Sequence, residues 1–174
     1  MPKFITVKKA EHEQQQATRY LKNSLVQSSA LIGLISLILG YGGVIYLFFK
    51  DRPMTELLTH SLVLLCAGLA LGVSQGAYQH YLFKSHPECF SDRMRRTELR
   101  LSGQVKKMKK IGDPVRVEHA GRWAVPYLYF LGWAGFIGLV VLYTPKLNTF
   151  SSIFLLLAGF HNARFFYLKR LIKK

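Results

Sequence analysis

What the sequence lacks is charge over long distances. Residues 23–49 and 57–83 each run 27 positions without an Asp, Glu, Lys or Arg. A water-soluble domain spreads charged side chains over its surface elements, so runs of this length exclude water-soluble folding. Acid is scarce throughout: 9 Asp and Glu stand against 24 Lys and Arg, leaving a net charge of +15. None of the acids lies inside an uncharged stretch, which argues against a transporter that couples to protons or cations through a midplane carboxylate. Cysteine is nearly missing, with Cys66 in mid-run and Cys89 beyond it, a pair that makes no disulfide framework. There is no nucleophile elbow, phosphate-binding glycine loop, HExxH or pair of catalytic carboxylates, so no enzyme is expected.

What is present is apolar length. Two further uncharged stretches, 123–145 and 147–163, hold 23 and 17 residues, and the last continues past Arg164 through Phe165, Phe166, Tyr167 and Leu168. A bilayer core about 30 Å thick takes roughly 20 helical residues to cross. Transmembrane strands would alternate polar and apolar residues, and Leu62 to Leu71 or Ile153 to Phe160 show no such alternation. Helices then satisfy every backbone group in lipid. A polar head of 22 residues ahead of the first run is unlike a cleavable secretory signal. The predicted fold is an all-α membrane protein with four transmembrane helices arranged as two hairpins. The divisions are a basic head (1–22), hairpin 23–83, a basic loop (84–122), hairpin 123–168 and a basic tail (169–174).

Orientation follows from the bases. The head, the central loop and the end of the chain from Arg164 onward carry 5, 11 and 5 Lys and Arg, whereas the turns 50–56 and 144–150 hold only Lys50, Arg52 and Lys146. The positive-inside rule places the first three in the cytoplasm, with both termini inside and the protein in the inner (cytoplasmic) membrane. An even number of spans is required for that split.

Helices in lipid approach closely where small residues align. Ser29, Gly33, Ser36, Gly40 and Gly43 form such a seam on the first span, at alternating spacings of four and three, and Gly68, Gly72 and Gly76 form another on the second. The two are expected to make the tightest helix pair. Polar groups at depth cost free energy unless partnered. Gln75 and His80 late in the second span, with His161, Asn162 and Arg164 late in the fourth, are candidates for an interhelical polar cluster or a lipid-headgroup contact. Trp123, Tyr127, Tyr129 and Trp133 read as an interfacial aromatic belt.

Within the central loop, residues 91–110 read as an amphipathic basic helix, with Ser91 as cap and Asp113-Pro114 as stop. Met94, Leu101, Val105 and Met108 make a narrow apolar stripe. Arg93, Arg95, Arg96, Arg100, Lys106, Lys107, Lys109 and Lys110 surround it, suited to an anionic leaflet or an acidic partner. Nucleic acid is not expected, because Phe90 is the only aromatic nearby to serve as a stacking platform. His86 and Cys89, without a second pair, fall short of a metal site, and no cofactor is expected.

The expected function is that of a small non-catalytic polytopic membrane protein that packs against other membrane subunits, or against itself, as a structural or assembly component. The alternatives are an oligomeric small channel or lipid/solute transporter, and a haem-binding electron-transfer subunit that would use His80 and His161 as axial ligands.

Overall fold

The computed structural model describes residues 3–104, 113–115, 118 and 121–172, and for residues 3–10 the backbone alone. Helix α1 (Lys3–Tyr20) passes through one π-helical turn (Leu21–Val26) into α2 (Gln27–Phe48). Tyr20 and Gln27 both keep right-handed helical angles, so the basic head and the first uncharged run form one continuous helix, widened at the predicted boundary. The tight turn after it places Asp51 at φ 60°, a left-handed position that the short polar Asp side chain tolerates. Pro53, extended at ψ 126°, starts α3 (Met54–Ser85), whose 32 residues reach about 48 Å.

Helix α3 stops at His86, which sits at φ −141°, ψ 62°, because the following proline disfavours helical backbone at that residue. Pro87 then opens α4 (Pro87–Leu101) at the helix start, where its missing N–H costs nothing. This corrects the predicted loop helix at both ends. Ser91 lies inside the helix rather than capping it, and the helix ends at Leu101. Gly103 takes φ +68°, its N–H bonds the Arg100 carbonyl at 3.2 Å, and the Gln104 N–H reaches back to the Leu99 carbonyl at 3.0 Å. That pair of bonds is a Schellman stop, for which glycine supplies the left-handed residue. Val105, Lys106, Lys107, Met108, Lys109 and Lys110 lie outside the described residues.

A 3₁₀ turn at Arg122–Ala124 leads into α5 (Val125–Tyr143), and Asn148 caps α6 (Thr149–Ile172) by accepting the Ser151 N–H at 2.6 Å. The described residues contain no strand. Three helices, Glu11–Phe48, Met54–Ser85 and Arg122–Tyr143, are long and apolar enough to cross a membrane.

The packing is centred on α6. Helices α2 and α3 lie against it on two sides and scarcely meet each other, while α5 leans on it from outside. This overturns the expected pairing of the two glycine seams, because each closes on α6 instead. A Cβ on Gly40 would stand 3.0 Å from Leu155, and one on Gly72 would strike the Phe160 carbonyl oxygen. Helix α6 can receive both neighbours because Ser151, Ser152, Ala158, Gly159 and Ala163 keep it narrow, and all five are buried.

Two apolar clusters result. Val44, Leu57, Leu64, Leu147, Leu155 and Leu156 fill the end near the short turns. Ala17, Leu21, Leu82, Phe90 and Leu168 fill the opposite end, hereafter the loop end, where α1 and α4 pack together over the ends of α3 and α6. The Ser91 hydroxyl donates to Gln16 Oε1 at 2.8 Å across that contact.

Candidate functional site

Helix α5 does not follow the bundle along its whole length. Phe136, Leu139, Val140 and Tyr143 rest on the turn-end core, and Tyr143 stacks edge-on against His60 with ring centroids 5.6 Å apart. Toward the loop end the helix diverges and leaves a wedge of about 530 Å³ between itself, α3 and α6. That volume falls within the roughly 300–1,000 Å³ typical of small-ligand pockets.

Three helical faces line it. Val125, Leu128, Tyr129, Gly132, Trp133 and Phe136 repeat at three- and four-residue steps along α5, as do Leu71, Ser74, Gln75 and Tyr78 on α3, and Leu157, Phe160, His161 and Arg164 on α6. Among the described residues Arg164 is the sole lining residue that carries a formal charge, and its Nε donates to Gln79 Oε1 at 3.1 Å. Gln75 Oε1 and His161 Nδ1, on residues of the same wall, are buried and have no hydrogen-bond partner among the described residues.

The predicted polar residues therefore divide. Gln75, His161 and Arg164 meet at the wedge. Asn162, one position and about 100° around the helix from His161, faces α2, donating from Nδ2 to the Ala158 carbonyl at 2.9 Å and the Gly33 carbonyl at 3.4 Å. His80 lies edge-on to Tyr167 with centroids 6.1 Å apart and does not line the wedge. The two histidines of the haem alternative thus have separate surroundings.

Of the seam residues, Ser29, Gly33, Ser36, Gly40, Gly68, Gly72 and Gly76 are buried, and Gly43 abuts Ser151. On α4, Arg93, Arg95 and Arg100 are exposed, Arg93 over the Phe90 ring at 6.0 Å, while Arg96 pairs with Asp92 at 2.8 Å. The buried face is Cys89, Phe90 and Ser91, and Leu101 of the predicted stripe is 84% exposed. Among the described residues no group of three His, Cys, Asp or Glu gathers as metal ligands.

Sequence reasoning missed Tyr78, Tyr129 and Trp133 as wall residues. Their signal was the common helical phase with Gln75 or with Phe136, which an interfacial reading of the aromatics hid. Comparison with protein-family models, with curated proteins and with solved structures finds no match for this chain in any of the three.

Proposed function

We propose that the chain is a small non-catalytic four-span protein of the inner membrane that packs against another membrane subunit through α5. Its head, loop and tail face the cytoplasm and present bases to anionic lipid or an acidic partner. The fourth span is α6, whose 24 residues reach about 36 Å. His161, Asn162 and Arg164 make it less apolar than the other three, and its neighbours shield much of its surface.

The observation that carries the reading is that α5, with no charged residue, buries not one of its residues within this chain. Its side away from the wedge bears Ala134 and Gly138, four apart and both exposed, beside Phe130 at 74% and Val141 at 67% exposure. A Cβ on Gly135 or Gly138 would meet nothing within 4 Å. Glycine costs up to about 1 kcal/mol against alanine in a helix, and close approach of a partner backbone recovers that cost in a membrane.

Native mass measurement after mild detergent extraction tests the proposal. Particles heavier than the 19.9 kDa chain are expected, and Gly138→Leu should release the single chain. A homogeneous single chain from wild-type membranes would refute it.

A further inference from the structure

The wedge beside Arg164 combines three properties that no simple packing role uses. First, a guanidinium sits among apolar helices without a counter-charge. No carboxylate lines the wedge, and none pairs with Arg164 among the described residues. Gln79 engages one of its five N–H donors. A buried cation is costly unless an anion or a strong acceptor meets it.

Second, His161 Nδ1 and Gln75 Oε1, on two residues of the same wall, are buried and without a partner among the described residues. Buried polar atoms are normally satisfied; both orphans belong to residues that line the wedge, where rotation of either side chain would bring its unpaired atom to a bound polar group. With its proton on Nδ1 the imidazole donates to an anionic oxygen, and the Gln75 amide offers either a donor or an acceptor.

Third, the remaining wall is hydrocarbon and aromatic, including Leu71, Leu128, Trp133, Phe136, Leu157 and Phe160. A free inorganic anion would satisfy Arg164 and leave that wall bare. A plain alkane would cover the wall and leave the cation bare.

We infer that the wedge is a binding site for one anionic phospholipid. Its phosphate meets Arg164 and His161, its headgroup hydroxyls or esters meet Gln75, and the start of an acyl chain lies against α5. The divergence of α5 opens the wedge at the end of the bundle that carries the basic loop, where anionic lipid concentrates. The inference rests on the membrane reading above but not on any protein partner.

The test uses Trp133 as reporter. Trp123→Phe leaves Trp133 as the only tryptophan of the two, and the full chain is reconstituted into phosphatidylcholine bilayers. Phosphatidylglycerol brominated on its acyl chain should quench Trp133 saturably at small mole fraction, and brominated phosphatidylcholine should not. Arg164→Gln should raise the half-quenching fraction about tenfold, the loss expected of one charged hydrogen bond. Gly132→Leu, whose side chain has open space to enter, should abolish the saturable component and keep the helical circular dichroism. Arg170→Gln, exposed on the same helix, should change nothing.

Should Arg164→Gln fail to fold, Gly132→Leu decides. Equal quenching by the two brominated lipids, or a Gly132→Leu curve like that of the parent, sinks the lipid site and leaves the membrane reading intact. Relief of quenching by millimolar inorganic phosphate, equally for short- and long-chain lipids, also overturns it in favour of a free anion. Recovery of the chain in the aqueous fraction, with no quenching by either lipid, defeats the membrane reading itself.

Discussion

Gly68 of α3 and Gly159 of α6 face each other directly: a Cβ built on either would stand 3.1 Å from the other's Cα, and each would also strike a carbonyl oxygen, that of Leu156 or of Leu65. No side chain separates the two backbones there. In a membrane, where lipid is as apolar as leucine, such proximity is a main source of helix attraction.

Alanine at either glycine should therefore lower stability, by about 1–3 kcal/mol, the usual cost of overpacking a tight interior. Gly42, around which a Cβ meets nothing within 4 Å, is the control, and Gly42→Ala should be neutral or slightly stabilising. Thermal unfolding in a mild detergent, followed by circular dichroism, checks the ordering. Equal midpoints for all three variants would show that the contact contributes nothing.

The asymmetry between Asn162 and its neighbours gives a second expectation. Its side chain bridges α6 to the Gly33 carbonyl of α2, and interhelical hydrogen bonds in membranes average about 0.6 kcal/mol. Asn162→Ala should thus cost about 1 kcal/mol or less. Asn162→Leu should cost more, because Gly33 leaves the existing side chain only 3.2 Å from an added Cβ. The same unfolding assay separates the two, and a larger loss for alanine would reassign the residue from packing to bonding.

The helical class was legible, as were three helices long and apolar enough to cross a membrane, because uncharged length is a property of one segment at a time. Partner choice was not, since Gly33 and Gly40 in phase define a face of α2 but carry no information about which helix meets it. Helix α6 was easy to underrate: His161, Asn162 and Arg164 lower its apolarity, and Ser151 and Ser152 read as polar although both are buried. The wedge was half legible. Gln75, His161 and Arg164 stood out as polar groups at depth, but separating Asn162 from them required knowing that helices flank α6 on different sides. The Schellman stop at Gly103 was hidden beneath a run of bases that suited continued helix.

Topology has its own test, on a chain freed of Cys66 and Cys89. Single cysteines at Arg52 and Lys146, both exposed in the short turns, should react with an impermeant thiol reagent applied outside the cell. Single cysteines at His12 and Arg95, both exposed at the loop end, should react only after lysis. Labelling of Arg95→Cys in intact cells would overturn the four-span arrangement. Position 146 serves better than its neighbour, because Leu147 is 3% exposed and a cysteine there would stay silent whichever side it faced.

The loop helix offers the sharpest contrast between the expectation from sequence and the packing observed. A helix lying on the leaflet by its Met94 and Leu101 stripe would depend on Leu101 and be indifferent to Phe90. The packing of α4 against α1 reverses that order. Phe90 is 1% exposed, among Ala17, Leu21, Leu82 and Leu168, with the rings of Tyr20 and Phe83 at 6.1 and 6.0 Å. Phe90→Ala should destabilise the chain by about 3–5 kcal/mol, the range for a deleted core aromatic. Leu101→Ala, at an 84% exposed site, should stay within about 0.5 kcal/mol of the parent. Detergent unfolding reads the stability, and proteolysis of α4 reports whether the loop end opens first. Should Leu101→Ala prove the more damaging in bilayers while Phe90→Ala is silent, α4 belongs to the lipid surface and its packing on the head helix is not what holds it.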